Sequence, residues 1–224
     1  MKAIPKVLVS GLVQIVAIAV LLFVPAGTLN FWQAWVFLAV FALSAWAPSI
    51  YLQVTNPGAL ERRLRGGPTE EPRTLQKIVM AVLYLSLGMM CIVGALDHRF
   101  GWSTVPSAIC LLGNVLVAAG LAVVVLVTTQ NHYASTVVRV EAGQSVVSTG
   151  VYGLVRHPMY TGNVIMLVGI PLALGSYWAL LLVVPGLIVL ASRIRDEEML
   201  LRNELVGYRE YTREVRYRLV PYVW

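Results

Sequence analysis

The run VPSAICLLGNVLVAAGLAVVVLVT, Val105 to Thr128, carries no charged residue from end to end. About 20 apolar residues suffice for a helix to cross the hydrocarbon core of a bilayer, so the stretch predicts a transmembrane helix. Working outward, three similar charge-free runs precede it: Val7 to Val24, Trp32 to Val54 and Ile78 to Leu96. Pro25, Pro57, Asp97 and Asn131 bound the four runs. Beyond them, Tyr160 to Ser192 is too long for one span and is broken at Gly175-Ser176, which predicts two short helices in a hairpin. Such a hairpin avoids exposing backbone polar groups to lipid only if its turn reaches the far interface or is sheltered by protein. Tyr177 and Trp178 suit that interface. The expectation is an all-α integral membrane protein of about six transmembrane segments, ending in a cytosolic C-terminal helix.

Composition agrees: 58% of the 224 residues are hydrophobic and 12% charged, against about a quarter charged in soluble domains. Residues 1–128 read as four membrane helices with a basic cytosolic loop at 55–77, and 129–224 as the cofactor-binding and catalytic region. Lys and Arg cluster on one side. Two precede the first run, five lie in 53–77, two in 129–157 and seven from Arg193 onward, while Arg99 stands opposite. Cytosolic loops carry the positive excess, so both termini are expected in the cytosol and the net charge of +6 reflects topology. The charges flank spans and form no single basic domain, which argues against nucleic acid as a partner.

The loop Glu61-Arg62-Arg63-Leu64-Arg65 reads as a headgroup-attracting cluster or as a lid over a site. Cys91 and Cys110 fall inside apolar runs without the spacing of a metal or redox pair, so they read as packing residues and no metal is expected. The first run follows Lys2 and Lys6 but lacks a small-residue cleavage site, and a second span follows closely, so it reads as a retained helix.

Chemistry concentrates in Gly150-Val151-Tyr152-Gly153-Leu154-Val155-Arg156-His157-Pro158-Met159-Tyr160-Thr161-Gly162. Pro158 suits the first position of a helix, with extended residues before it. The N–H groups of Met159, Tyr160 and Thr161 would then form a positive terminus able to hold a carboxylate or phosphate. Further on, Ile194, Glu198, Leu201 and Leu205 share one helical stripe. Glu198 interrupts that apolar face and needs a partner if buried; Arg156, Arg193, His157 and a cationic ligand all qualify. Glu197 points more sideways and could pair with Arg193. The aromatic and basic tail, Tyr208 to Trp224, suits interfacial anchoring or packing over a nearby site.

The Arg156-His157-Pro158-x-Tyr160-x-Gly162 core, followed by Glu197-Glu198 and by Tyr208 to Pro221, resembles the isoprenylcysteine carboxyl methyltransferase and phospholipid methyltransferase superfamily over about the last 95 residues. The resemblance implies a cytosol-facing pocket for S-adenosylmethionine, yielding S-adenosylhomocysteine, with a lipid or prenylated acceptor entering from the bilayer. It implies cofactor contacts from Asn131, His132, Tyr152, Arg156, His157, Pro158, Met159, Tyr160, Gly162, Glu197, Glu198 and Leu201, and catalytic roles for Arg193, Glu198 and Arg156. A carboxylate acceptor needs only an Arg to position it, whereas an amine needs a Glu or His to receive its proton; the residues include both sets. Two rivals stand beside this. Tyr217 to Trp224 also resembles the ending of NADPH-dependent sterol reductases. A transporter would place ionisable groups in mid-membrane, but the spans hold little beyond Gln14, Gln33 and Asn114.

Overall fold

The computed structural model describes residues 3–55, 73–131, 133–134, 139–140 and 143–224. Among them every regular element is helical: α1 (Ala3–Ala26), α2 (Trp32–Thr55), α3 (Thr74–Phe100), α4 (Ser107–Gln130), α5 (Pro158–Ala173), α6 (Val183–Glu204) and α7 (Tyr208–Glu214), with short 3-10 turns at Gly150–Gly153 and Ala179–Leu182. Among the described residues, three helices are long and apolar enough to cross a membrane, in α1 (Val9–Ala26), α3 and α4; Trp32–Ser44 and Pro158–Ala173 are shorter apolar helices. The chain is a multi-pass membrane protein. Most of the 55–77 loop lies outside the described residues.

Two helix ends differ from the charge-free runs, and both differences matter. At its start α3 extends beyond the apolar run, so Gln76 and Lys77 are helical. At its end the helix continues past Asp97 to Gly101, which closes it in the left-handed conformation (φ 65°). Asp97 was expected to mark a boundary but is 1% exposed. The cause is a set of donors: the Ser103 N–H (2.6 Å), the Ser103 hydroxyl (2.7 Å) and the Ser176 hydroxyl all bond its carboxylate. Ser176 also accepts from the Ala179 N–H at 3.0 Å. These bonds tie the end of α3 to the turn between α5 and α6.

The two helices expected as a hairpin follow one another across Gly175, but each packs chiefly on a different partner, α5 on α4 and α6 on α3. Glycines explain the first contact. A Cβ on Gly162 would stand 2.7 Å from the Gly120 carbonyl oxygen, and one on Gly169 2.9 Å from that of Gly113. Small residues of this kind let helix backbones approach closely where no hydrophobic drive separates protein from lipid. The apolar core beside them gathers Leu22, Phe31, Phe37, Met90, Val117, Leu167 and Leu174. This packing fixes Pro158, the start of α5, against the charged half of α6.

Candidate active site

His157 precedes the proline at φ −125° and ψ 62°, so the extended geometry expected there is corrected, and the tail runs alongside Arg156 and His157. The Arg156 N–H donates to the Tyr217 carbonyl and the His157 N–H to the Arg218 carbonyl, each at 2.9 Å. The Thr161 hydroxyl donates to the Leu219 carbonyl at 2.8 Å. Within the first turn of α5, the Tyr160 and Thr161 N–H groups both donate to the His157 carbonyl, at 3.0 and 3.1 Å. The wide anion-binding terminus expected from the sequence is therefore corrected, because two of its three N–H groups are used inside the helix.

Glu198 forms the centre of a buried cluster. Arg156 Nε donates to Oε1 at 2.8 Å, and Arg218 Nε and Nη2 donate to Oε2 at 3.1 and 3.0 Å. His157 Nε2 lies 3.3 Å from Oε1 and Arg202 Nη2 3.6 Å from Oε2. Arg156 Nη1 donates further to the Val215 and Arg216 carbonyls, both at 2.8 Å. Glu198 is 3% exposed and Arg156 7%. Burial pushes the Glu198 carboxyl up, but hydrogen bonds from His157, Arg218 and Arg156 outweigh it and hold the group at about 2. The cluster joins α6, the start of α5 and the tail.

A second polar chain runs alongside. Arg73 Nη2 donates to Asp196 Oδ1 at 2.7 Å, and the Gln76 amide nitrogen donates to Asp196 Oδ2. Gln76 Oε1 accepts from Arg193 Nη1 at 2.9 Å. Arg193 Nε donates to the Tyr160 hydroxyl at 2.8 Å, which in turn donates to Glu197 Oε2 at 2.5 Å. Gln76 is fully buried and Arg193 4% exposed. The sequence-based pairing of Glu197 with Arg193 is thus mediated by Tyr160.

Two cavities flank this chain. The first, about 100 Å³, is lined by Asn131, Tyr152, Arg156, His157, Pro158, Met159, Tyr160, Glu197 and Leu201 among the residues expected around a cofactor, and also by Arg139, Val146, Leu205, Tyr208 and Tyr211. One part is polar, around Glu197 and Asn131, whose amide donates to the Tyr152 hydroxyl at 3.1 Å. Another part is apolar, where Leu205, Tyr208, Tyr211 and Val215 pack together with Val146 and Leu201 at their edge. The Tyr208 hydroxyl is buried without a hydrogen-bond partner among the described residues. Burial, then the nearby Glu198 and Glu197, raise its pKa, so it stays protonated and able to donate.

The second cavity is larger, about 250 Å³, and mostly apolar: Met80, Leu83, Tyr84, Leu87, Met166, Leu167 and Leu190 line it, with Asn163 and Arg193 as its amide and its cation. Met159 and Tyr160 belong to both walls. His132 falls outside the described residues, and two expected residues lie elsewhere. Gly162 packs on α4 because its missing side chain admits the Gly120 carbonyl. Glu198 lines neither cavity, because its carboxylate is taken up by Arg156, Arg218 and His157. Gln76, Asp196, Arg218 and Tyr208 were not among the expected site residues; the polarity of Gln76 just before an apolar run, and Tyr208 in the aromatic tail, were the available signals.

Comparison with known proteins bears on this arrangement. The family model described as phospholipid methyltransferase matches residues 108–205, from the start of α4 to just past the end of α6. The matched segment contains both the Arg156-His157-Pro158 motif and the Glu197-Glu198 pair. A Delta(14)-sterol reductase of Mus musculus is 33% identical over 85 residues, which make up 37% of this chain and 20% of the reductase. The chain thus matches about a fifth of that relative's length.

Proposed function

We propose that this chain, with a segment that matches the phospholipid methyltransferase family, transfers a methyl group from S-adenosylmethionine to a lipid acceptor, and that the acceptor is a carboxylate of the isoprenylcysteine type. The observation that carries the reading is the meeting of a polar cavity and an apolar cavity at Met159 and Tyr160. A water-soluble donor and a membrane-borne acceptor need such a junction.

The first cavity suits the donor. Glu197 offers a carboxylate to a cationic ligand, Asn131 and Tyr152 offer polar groups, and the apolar part around Leu201, Leu205 and Tyr208 suits an aromatic base. The unpartnered Tyr208 hydroxyl is a donor for that base. Bound there, S-adenosylmethionine would supply a methyl group on a positively charged sulfur, for which alignment and exclusion of water matter more than acid–base help. Burial of Tyr160 and His157, 8% and 5% exposed, keeps the junction poor in water.

The second cavity supports an acidic acceptor. Among the described residues its lining includes Arg193 and no Asp or Glu, so a carboxylate meets an attractive charge and an ammonium a repulsive one. A carboxylate is already a nucleophile at neutral pH, and no base is required. Arg193 orients it; Glu198 and Arg156 support the site from behind by fixing His157 and the tail. The positive-inside bias supports six membrane segments with both termini in the cytosol.

A second reading, an NADPH-dependent reductase, has the partial match to the sterol reductase in its favour. Against it, Arg156 commits its Nε and Nη1 donors to Glu198 and to two carbonyls, where a dinucleotide phosphate would need them. Calorimetry on detergent-solubilised protein with S-adenosylhomocysteine and, in parallel, NADPH separates the two. Saturable binding of the homocysteine is expected; NADPH binding with no response to S-adenosylhomocysteine would replace the methyltransferase by the reductase.

A further inference from the structure

We infer that Gln76 is a positioning residue that sets the Arg193 guanidinium against the acceptor's anionic head, and that Asp196 and Arg73 hold Gln76 in the orientation this needs. The inference rests on the methyltransferase reading. It reaches beyond the family match, since Gln76 stands on α3 and the match begins at residue 108.

A side-chain amide has one acceptor and one donor end, and either end can face a neighbour. Arg193 only donates, so Gln76 must turn its oxygen toward it; the observed contact is 2.9 Å from Nη1. This leaves the amide nitrogen pointing away, where the Asp196 carboxylate accepts it. Asp196, 4% exposed, is held by Arg73 at 2.7 Å through its other oxygen. Each donor–acceptor choice dictates the next one. The chain ends with Arg193 Nε on the Tyr160 hydroxyl, 2.8 Å away, in the wall shared by the two cavities. Arg193 thus has its plane set at two points, by Gln76 from α3 and by Tyr160 from α5. An arginine fork recognises a carboxylate only when its plane is oriented, and two fixed donors supply that orientation. Gln76 can be fully buried because both ends of its amide are bonded.

Three variants of the full chain test this, with methyl transfer to farnesylated N-acetylcysteine and to a long-chain fatty acid as acceptors and S-adenosylhomocysteine affinity measured alongside. Gln76→Leu removes the acceptor for Arg193. Asp196→Asn faces the Gln76 nitrogen with a donor and turns the amide, with little loss of volume. The exchange Gln76→Glu with Asp196→Asn rebuilds every bond with the charge moved one residue along: Glu accepts from Arg193 and from the Asn amide, and the Asn oxygen accepts from Arg73. Each of the first two changes is expected to raise the acceptor KM about tenfold, within the on the order of 100-fold cost of misplacing a reacting group by about 1 Å, with donor affinity held to about twofold. The exchange is expected to restore KM. An unchanged KM in Asp196→Asn, parallel loss of donor affinity, or no recovery in the exchange would overturn the inference. If the wild type binds S-adenosylhomocysteine but methylates neither acid, the inference falls and the donor site stands; if it does not bind, the methyltransferase reading falls as well.

Discussion

Glu198 and Arg193 stand on the same helix, both 3–4% exposed, yet they are surrounded very differently. The Glu198 carboxylate takes hydrogen bonds from Arg156 and Arg218, has His157 beside it, and lines neither cavity. Arg193 donates, among its bonds, to the Gln76 side-chain oxygen and the Tyr160 hydroxyl, in the wall of a mostly apolar cavity. Cations packed about one carboxylate make a clasp, which holds the tail and the Arg156-His157 segment to α6. A cation oriented by neutral groups beside a cavity makes a recognition element. Charge near a site therefore does not by itself identify the group that meets the substrate.

The largest effect is expected where the clasp is opened. Glu198→Gln keeps the shape but leaves Arg156 and Arg218 without their counter-charge, and breaking a buried pair costs about 3–5 kcal/mol. Arg218 is 28% exposed at its side chain, so the lower figure applies, and thermal unfolding should drop by roughly 6–12 °C for a chain of this size. The same carboxyl gives a pH signature. Its pKa is lowered from 4.5 to about 2, so its stabilisation is complete above about pH 4.5 and is lost as pH falls toward 2. The wild type should lose stability over that window, and Glu198→Gln should lack this component of the slope.

A smaller and more selective effect is expected at Glu197. Gln in its place can still accept from the Tyr160 hydroxyl, so stability should hold. Binding should change according to ligand charge: the cationic S-adenosylmethionine loses a carboxylate worth about 1.5–3 kcal/mol when hydrogen bonded, roughly ten- to 150-fold in affinity, while S-adenosylhomocysteine, with no charge on sulfur, loses less. Equal weakening of both ligands would move Glu197 away from the sulfonium. Smallest is Tyr208→Phe. Its hydroxyl has no partner among the described residues, so stability should stay within about 0.5 kcal/mol, and S-adenosylhomocysteine should bind about fivefold more weakly, the worth of one net hydrogen bond of about 1 kcal/mol.

How much of this was readable beforehand follows the range of the interactions. Span positions are a local property of charge-free runs, and α1, α3 and α4 lie where those runs are. The Arg156-His157-Pro158-Tyr160 motif and Glu197 line one cavity, an arrangement expected from the resemblance and not from any local periodicity. Gln76 was invisible because its partner Arg193 is 117 positions away, and one amide at the end of an apolar run carries no periodic signal. Glu198 was rightly marked as a carboxylate in need of a partner, but Arg218, which completes its cluster, sits in a tail whose composition suggested membrane anchoring. Gly162 belongs to the motif, yet its contact is the Gly120 carbonyl, a helix–helix approach that only the assembled pair reveals.

The most direct measurement is transfer of a tritiated methyl group from S-adenosylmethionine to farnesylated N-acetylcysteine by the purified protein, followed by base hydrolysis of the lipid product. A carboxyl methyltransferase gives lipid-bound label that base releases as volatile methanol, and Arg193→Ala abolishes it. Label that withstands base would show transfer to nitrogen, and no transfer by a protein that binds S-adenosylhomocysteine would contradict the carboxylate acceptor.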